Sequence, residues 1–245
     1  MKKTTALLLS AFLALSITAC GNQNTLEQKT VKITAPTAES ADESIEQTPS
    51  GDTESANAAE TGNSNILVAY FSVMETDDVD TVASASRVAV NGENLGNNEY
   101  IAQIIQRETG GDLFSIETVQ EYPAIHDSLL EYAYNEKAEN ARPELETKIE
   151  NPDSYDVIFL GYPNWNADLP MPLYTFLEEY NFSGKTIIPF TTHGGSGFSR
   201  TIQTISDLHP NATVVSDGLS ISRNSVIGAE GEVVEWVNEL GLTAE

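Results

Sequence analysis

Apolar side chains are distributed unevenly along this 245-residue chain. A short apolar run covers residues 6–17, and the stretch from Gly21 to Asn63 then holds almost no large apolar residue. From about Ser64 onward, apolar positions recur with the spacing of buried strands and amphipathic helices. We therefore predict an N-terminal segment over residues 1–19, a polar linker over residues 20–63 and one globular domain over residues 64–245.

Within the domain, predicted strands and helices alternate. A continuous apolar run, typical of a strand covered on both faces, predicts a strand at 66–71. Further strands are predicted at 112–118, 156–161, 185–190 and 212–216. Apolar residues at helical spacing predict helices at 97–109, 126–140, 172–180, 199–208 and 231–240. Strands that are each followed by a helix form a parallel sheet with right-handed crossovers. The sequence thus predicts the α/β class: a three-layer αβα sandwich around a five-stranded parallel sheet.

Ligands of such sheets bind beyond the carboxyl ends of the strands, so the loops after strands one, three and four are candidate site loops. The first loop runs from Ser72 to Asn98 and ends in Leu95-Gly96-Asn97-Asn98, at the start of a predicted helix. Free backbone N–H groups and amide side chains there can hold an anion without any lysine or arginine. Ordinary capping of the helix by Asn97 explains the same residues equally well.

The second and third loops also have unusual compositions. Trp165 follows a buried strand within Gly161-Tyr162-Pro163-Asn164-Trp165-Asn166-Ala167-Asp168, where it can lie on a flat ligand or pack on its own helix. The third loop, Thr191 to Ser199, has three glycines among hydroxyl side chains, which lets the backbone approach a ligand closely.

Taken together, these loops resemble those of a flavodoxin, in the branch with a long insertion before the phosphate loop. The matching stretches are residues 70–77, 95–98, 140–145, 161–168, 182–189, 192–199 and 222–225. The resemblance covers nearly all of Asn65 to Leu242, and it implies the strand order 2-1-3-4-5 and the cofactor FMN. The phosphate would be held by Ser72, Gly96, Asn97 and Asn98. The isoalloxazine would lie between two loops, formed by Pro163, Asn164, Trp165, Asn166, Ala167 and by Thr192, His193, Gly194, Gly195, Ser196, Gly197.

Three residues depart from the pattern of the family. Asn98 replaces a threonine, Asn166 replaces a second tryptophan that would offer another stacking face, and Ala167 replaces a glycine. The resemblance implies that this loop reorients through positive φ on one-electron reduction, which an alanine would oppose by about 1–2 kcal/mol. A flavodoxin fold whose FMN site has decayed therefore stays an alternative.

No catalytic acid or base is predicted, because FMN would carry the redox chemistry. His193 in the third loop could donate to the flavin or a substrate, or cap the following turn. His126 and His209 fall at helix ends and are predicted to be surface residues. Three scattered histidines without a cysteine or carboxylate cluster predict no metal site.

The N-terminus predicts the compartment. Lys2 and Lys3 precede the apolar run, and Thr18-Ala19 supplies small residues before Cys20, the only cysteine. The arrangement resembles a bacterial lipoprotein signal over residues 1–19, with Cys20 lipid-modified, although an ordinary secretory signal also contains most of these features. The predicted product is extracytoplasmic and held to the membrane only by its lipid, through the linker over residues 20–63.

Charge indicates the kind of partner. From Ser64 onward, 29 acidic residues face eight lysines and arginines, within a chain of net charge −25. Such a surface repels nucleic acid and anionic lipid and suits a basic redox protein. The sequence thus predicts an FMN-binding, membrane-anchored electron-transfer protein. An FMN-dependent, quinone-type oxidoreductase and a non-catalytic binding module are the alternatives.

Overall fold

The computed structural model describes residues 65–76 and 85–244. The predicted signal over residues 1–19, the lipidation at Cys20 and the linker over residues 20–63 lie outside the described residues. Among the helices that are described, none is both long and apolar enough to cross a membrane.

Strands and helices alternate in the described domain, as the apolar pattern predicts. The strands are β1 (Ile66–Tyr70), β2 (Arg87–Val90), β3 (Glu93–Gly96), β4 (Asp112–Ser115), β5 (Val157–Pro163), β6 (Thr186–His193), β7 (Thr213–Val214) and β8 (Leu219–Ser222). The helices are α1 (Asn97–Thr109), α2 (His126–Glu139), α3 (Met171–Glu179), α4 (Thr201–Leu208) and α5 (Glu230–Leu240).

The central sheet is parallel and has the order β4-β1-β5-β6-β7. In terms of the five predicted strands this is 2-1-3-4-5, so the predicted fold is confirmed. The fifth position differs in detail, because the predicted strand 212–216 is shortened to β7 and β8 pairs with the carboxyl half of β6. The sheet therefore has six strands instead of five.

The first site loop is more structured than predicted. Strands β2 and β3 form an antiparallel hairpin within it, so the prediction of a loop from Ser72 to Asn98 is wrong for this part. The two strands are joined by Asn91 and Gly92, both at positive φ (54° and 87°). Asn-Gly is the preferred pair for such a two-residue turn, because both positions require the left-handed conformation.

Two apolar cores cover the two faces of the sheet. Successive side chains of β1 alternate between them: Ile66 and Val68 pack towards α1 and α5, whereas Leu67 and Ala69 pack towards α3 and α4. Both cores are completed by residues of the central strands β5 and β6. This burial fixes the strands, so the loops at their carboxyl ends start from rigid positions.

Candidate functional site

The carboxyl ends of β1, β5 and β6 meet at a cavity of about 330 Å³. This volume lies at the lower end of the range for small-molecule sites. Most of the residues predicted from the second and third loops line it: Pro163, Asn164, Trp165, Asn166, Ala167, Thr192, His193, Gly194 and Ser196. Gly195 and Gly197 do not line it, but their positive φ angles of 129° and 55° shape the third loop.

Hydrogen bonds through Asn164 fasten the second loop to the third. Its backbone N–H donates to the carbonyl of Thr192 (2.8 Å), and its side-chain Nδ2 donates to the carbonyl of Gly197 (2.7 Å) and to Ser199 Oγ (3.1 Å). Two walls of the cavity therefore hold each other in place. Preorganised walls reduce the ordering cost of binding a ligand between them.

Trp165 lies both against the protein and along the cavity. Its ring packs on Phe71 and Tyr122, with centroids 5.6 and 5.8 Å away. The same side chain lines the cavity. The ring contacts found are with residues outside the second loop and outside the helix that follows it, and contact of the indole with a flat ligand stays a prediction.

A tight turn is formed by the two residues of the second loop that depart from the family pattern, Asn166 and Ala167. Backbone hydrogen bonds join Trp165 and Asp168 in both directions (3.2 and 3.0 Å), with Asn166 and Ala167 between them at φ 54° and 60°. This is a two-residue turn of type I′, in which asparagine is a favoured first residue. Lys137 on α2 donates to the carbonyl of Asn166 (2.7 Å) and lies 3.2 Å from the carboxylate of Asp168.

The backbone cost of Ala167 therefore exists already in the described state. Ala167 already has a positive φ in the described structure. The predicted energetic cost of an alanine in this conformation therefore does not arise only when a bound cofactor is reduced. We expect Ala167→Gly to stabilise the domain by about 0.5–1 kcal/mol, since relief of the Cβ clash exceeds the extra chain entropy of glycine. Urea unfolding monitored by circular dichroism measures the change.

The control for this prediction is Ala138→Gly, at an exposed position within helix α2. Ala138 is the last residue but one of α2, where glycine is less favourable than alanine by up to about 1 kcal/mol, so the control should lower the free energy of unfolding or leave it unchanged. A destabilised Ala167→Gly variant would contradict the assignment of backbone strain to this turn.

The predicted phosphate site lies at the start of α1, where Gly96 is the N-cap residue. A Cβ on Gly96 would lie 2.2 Å from Ser72 Oγ and 2.9 Å from Ser72 Cβ. The missing side chain thus lets the hydroxyl of Ser72 reach the N-terminus of the helix. A hydroxyl beside free helical N–H groups is an arrangement suited to a phosphate.

Some donors of this site are already engaged. The N–H of Gly96 donates to the carboxylate of Glu99 (3.0 Å), and the N–H of Asn97 donates to the carbonyl of Ser86 (3.0 Å). The N–H groups of Asn98 and Glu99, at the second and third helical positions, have no acceptor within the helix. The donor set therefore fits an anion bound through Ser72, Asn98 and Glu99.

The Asn98 side chain is directed to the third loop. Its Nδ2 donates to Thr192 Oγ1 (3.0 Å), while its buried Oδ1 has no hydrogen-bond partner among the described residues. A carbonyl oxygen pairs with a hydroxyl donor and not with a phosphate oxygen. The Asn98 amide thus fits the hydroxyl-bearing chain of FMN, and its backbone N–H fits the phosphate.

The space at the phosphate end is narrow, about 10 Å³, which is the size of a single water. Ala85 and Ser86 line it together with Ser72, Asn97 and Asn98. A phosphate is larger than a single water, so its binding there requires some of these lining residues to move apart.

Further lining residues were not predicted as site residues. His126 contributes to the cavity with its side chain only 19% exposed, so its prediction as a surface residue is wrong. It contacts Glu75, which is 2% exposed and also lines the cavity. The cavity is also lined by Leu129, Leu130 and Ala133 of α2 and by Arg223, which lies beside the third loop. His209 is likewise half-buried, against Phe182.

Comparison with known proteins agrees with the fold. The family model described as Flavodoxin matches residues 65–240. The chain belongs to the flavodoxin family. No curated protein matches this chain.

Solved structures similar to this flavodoxin include flavoproteins from three bacteria. A protein from Bacteroides eggerthii, described as a flavoprotein, is 26% identical with a TM-score of 0.51, covering 72% of this chain and 97% of its own. One from Bacteroides uniformis, described in the same way, is 24% identical with a TM-score of 0.48, covering 71% and 97%. A flavoprotein from Lactobacillus acidophilus, solved in complex with FMN, is 17% identical with a TM-score of 0.47, covering 68% and 97%.

In this flavodoxin His193 caps the turn that follows it. Its Nδ1 accepts a hydrogen bond from the N–H of Gly195 (2.9 Å), which requires an unprotonated nitrogen at that position. Burial lowers the pKa of His193 below its usual value of 6.5, in agreement with this neutral form. The capping role considered from the sequence is confirmed, and the ring also lines the cavity.

Acid should therefore loosen the third loop. The unfolded chain binds the His193 proton more tightly than the folded domain, so the stability contributed by this group is present above pH 6.5 and falls as the pH drops towards the lowered pKa. We expect FMN affinity, measured by fluorescence titration, to fall about threefold or more between pH 7 and pH 5.5. His193→Gln, whose amide oxygen can still accept from Gly195, should flatten this dependence.

The matched control is His209→Gln, because His209 also has a pKa lowered by burial but lies at the end of α4, away from the cavity lining. The control should keep the pH dependence of the wild type. An unchanged pH dependence in His193→Gln would show that another group is responsible.

Proposed function

We propose that this flavodoxin binds FMN and transfers electrons outside the cytoplasmic membrane, to which a lipid on Cys20 holds it. The observation that carries the proposal is the joint position of the three predicted loops around one cavity and the narrow space beside it. Membership of the flavodoxin family supports the flavin, and the donor set at Ser72, Asn98 and Glu99 supports its phosphate.

In the proposed complex the isoalloxazine lies between the Trp165 turn and the third loop, with the phosphate at the start of α1. FMN supplies the redox chemistry, and the chain binds and orients it. Because Asn164 ties both loops together, the two walls would keep a constant separation around the ring system.

The acidic surface supports a basic protein as electron partner, since opposite charges steer encounter between proteins. FMN-loaded protein, reduced anaerobically, should reduce ferric cytochrome c, a basic one-electron acceptor. Stopped-flow rates should fall at least fivefold between roughly 10 and 500 mM ionic strength, because salt screens the attraction. A rate that is independent of salt would refute charge steering.

Membrane attachment is proposed from Cys20 and the signal-like segment before it. We expect the wild-type protein in the membrane fraction of its bacterial host and Cys20→Ser in the soluble extracytoplasmic fraction, because the thiol is the site of acylation. Ser16→Ala, within the same segment, is the matched control and should leave the protein in the membrane fraction. A membrane-bound Cys20→Ser variant would contradict the anchor.

A second function, that of an FMN-dependent oxidoreductase, is supported by a specific observation. The cavity extends past the two flavin loops to α2 and to the pair formed by His126 and Glu75. Pure electron carriage does not require a proton-transferring pair, whereas reduction of many organic acceptors does.

A further inference from the structure

An arginine lies at the edge of the cavity, beside the third loop. Arg223 follows directly after β8, and its backbone N–H donates to the carbonyl of His193 (2.9 Å), which fixes its position. Its Cζ, Nε and Nη1 lie 3.8, 3.9 and 3.9 Å from the position that a Cβ would occupy on Gly194. Because these three distances are nearly equal, the flat face of the guanidinium is turned to the loop. Its N–H donors, which lie in the guanidinium plane, therefore point past the loop and not into it.

The charge of Arg223 has no partner among the residues that the structure describes. Four other basic side chains of this acidic domain lie within 3.2 Å of a carboxylate: Arg107, Lys137, Arg142 and Lys148. The half-buried guanidinium of Arg223 forms neither an ion pair nor a hydrogen bond with a described residue. A guanidinium that is partly removed from water without acceptors is available to an anion.

Negative charge is scarce around Arg223. The cavity has one carboxylate among its described lining residues, that of Glu75, which is only 2% exposed. Arg223 also lines a second pocket of about 190 Å³ at the hairpin β2–β3, together with Arg87, Asn94 and Asn224. No carboxylate is found among the described residues that line this pocket. Since acidic residues outnumber basic ones 29 to eight from Ser64 onward, these surroundings differ from the average of the domain.

An apolar wall lines the same cavity as Arg223. It is formed by Leu129, Leu130 and Ala133 of helix α2. Leu130 is 49% exposed, although large apolar side chains of a helix usually face the core. Ligand sites commonly combine an apolar lining with a few polar groups that fix the orientation of the ligand. The combination found here matches a molecule with an apolar body and one anionic group.

We propose that the cavity binds a small, largely apolar organic carboxylate, whose charged group pairs with Arg223 and whose apolar part lies against α2. The planar guanidinium matches the two oxygens of a carboxylate. One guanidinium in so acidic a domain compensates one negative charge, which favours a carboxylate over a doubly charged phosphate. This inference does not depend on the proposed binding of FMN, since Arg223 does not line the narrow space at the start of α1.

The test compares two probes of the same shape, 2-naphthoate and its uncharged analogue 2-naphthamide. Each is titrated by isothermal calorimetry into purified, flavin-free full-length protein. We expect Arg223→Gln to weaken binding of naphthoate at least fivefold and to change binding of naphthamide less than twofold, because only the carboxylate pairs with the guanidinium. Arg223→Lys should lose less than Arg223→Gln, since the charge is kept and only the planar fork is lost.

Leu130→Ser provides a second arm, at a position whose exposure makes the substitution tolerable to the fold. It should weaken both probes by a similar factor of at least two, because it removes apolar contact and no charge. The control is Arg107→Gln in the last turn of α1, which changes the net charge as Arg223→Gln does but does not line the cavity. It should bind both probes as the wild type does.

Four results would overturn the proposal. Wild-type protein that does not bind naphthoate at about 5 mM would exclude the site. Equal weakening of both probes in Arg223→Gln would show a structural role, and unchanged naphthoate binding in that variant would exclude the ion pair. Equal loss of naphthoate binding in Arg107→Gln would assign the effect to the overall charge of the domain. Failure to bind FMN is measured separately and would refute only the proposed function.

Discussion

Replacing Gly96 by alanine should weaken FMN binding at least tenfold, about 1.4 kcal/mol. The new Cβ would lie 2.2 Å from Ser72 Oγ and 2.9 Å from Ser72 Cβ, so rotation of the hydroxyl alone cannot relieve the clash. Ser72 must shift away from the start of α1, which removes a donor from the phosphate site. Titration of FMN fluorescence gives the dissociation constant, and unfolding in urea reports whether the fold is retained.

The matched control is Gly231→Ala in helix α5, where an added Cβ has no atom within 4 Å. This variant should bind FMN as the wild type does. An unchanged dissociation constant in Gly96→Ala would show that the start of α1 does not hold the phosphate, even if FMN binds elsewhere in the cavity.

The second large effect is expected on the free energy of unfolding, when Gly161 is replaced by alanine. Gly161→Ala should lower the free energy of unfolding by about 3 kcal/mol, because overpacking a rigid core forces side chains and backbone to move. The added Cβ would lie 2.1 Å from the ring of Phe190, which is fully buried on the neighbouring strand β6. Urea unfolding by circular dichroism measures the loss.

Gly231→Ala again serves as the control and should leave stability unchanged or slightly raised, since alanine favours helix. The double variant Gly161→Ala with Phe190→Leu should recover part of the lost stability, because the smaller side chain makes room for the methyl group. Wild-type stability in Gly161→Ala would contradict the close packing of these two strands.

The fold was accessible from the sequence because its main strands are buried on both faces. Runs such as residues 66–71 and 157–161 have no polar interruption, which is typical of parallel strands covered by helices on both faces. The bounds of α1 were predicted correctly, since apolar spacing ends at Gly110, whose φ of 66° closes the helix.

The hairpin β2–β3 was missed, although the sequence contains a signal for it. Asn91-Gly92 between two short runs with β-branched or apolar residues is the strongest local hairpin pattern. No comparable local signal predicts that the fifth strand is divided into β7 and β8. The division depends on tertiary structure, because the chain after Val214 pairs with the carboxyl half of β6.

Part of the candidate site could be predicted from the sequence, and the reason is physical. Residues of the three loops share one edge because parallel strands place their carboxyl ends together, so topology alone brings Trp165 near Thr192. His126 and Glu75 are 51 positions apart, and their contact depends on how α2 packs beside the sheet. A helix-end histidine looks the same in sequence whether it faces solvent or a buried carboxylate.

Titration of FMN with the purified full-length protein tests the central claim most directly. If the three loops hold the isoalloxazine against Trp165, flavin fluorescence should fall to an end point at one FMN per chain, with a dissociation constant at or below about 10 µM. Fluorescence that stays unchanged at tens of micromolar protein would contradict the account and leave a flavodoxin fold without its cofactor.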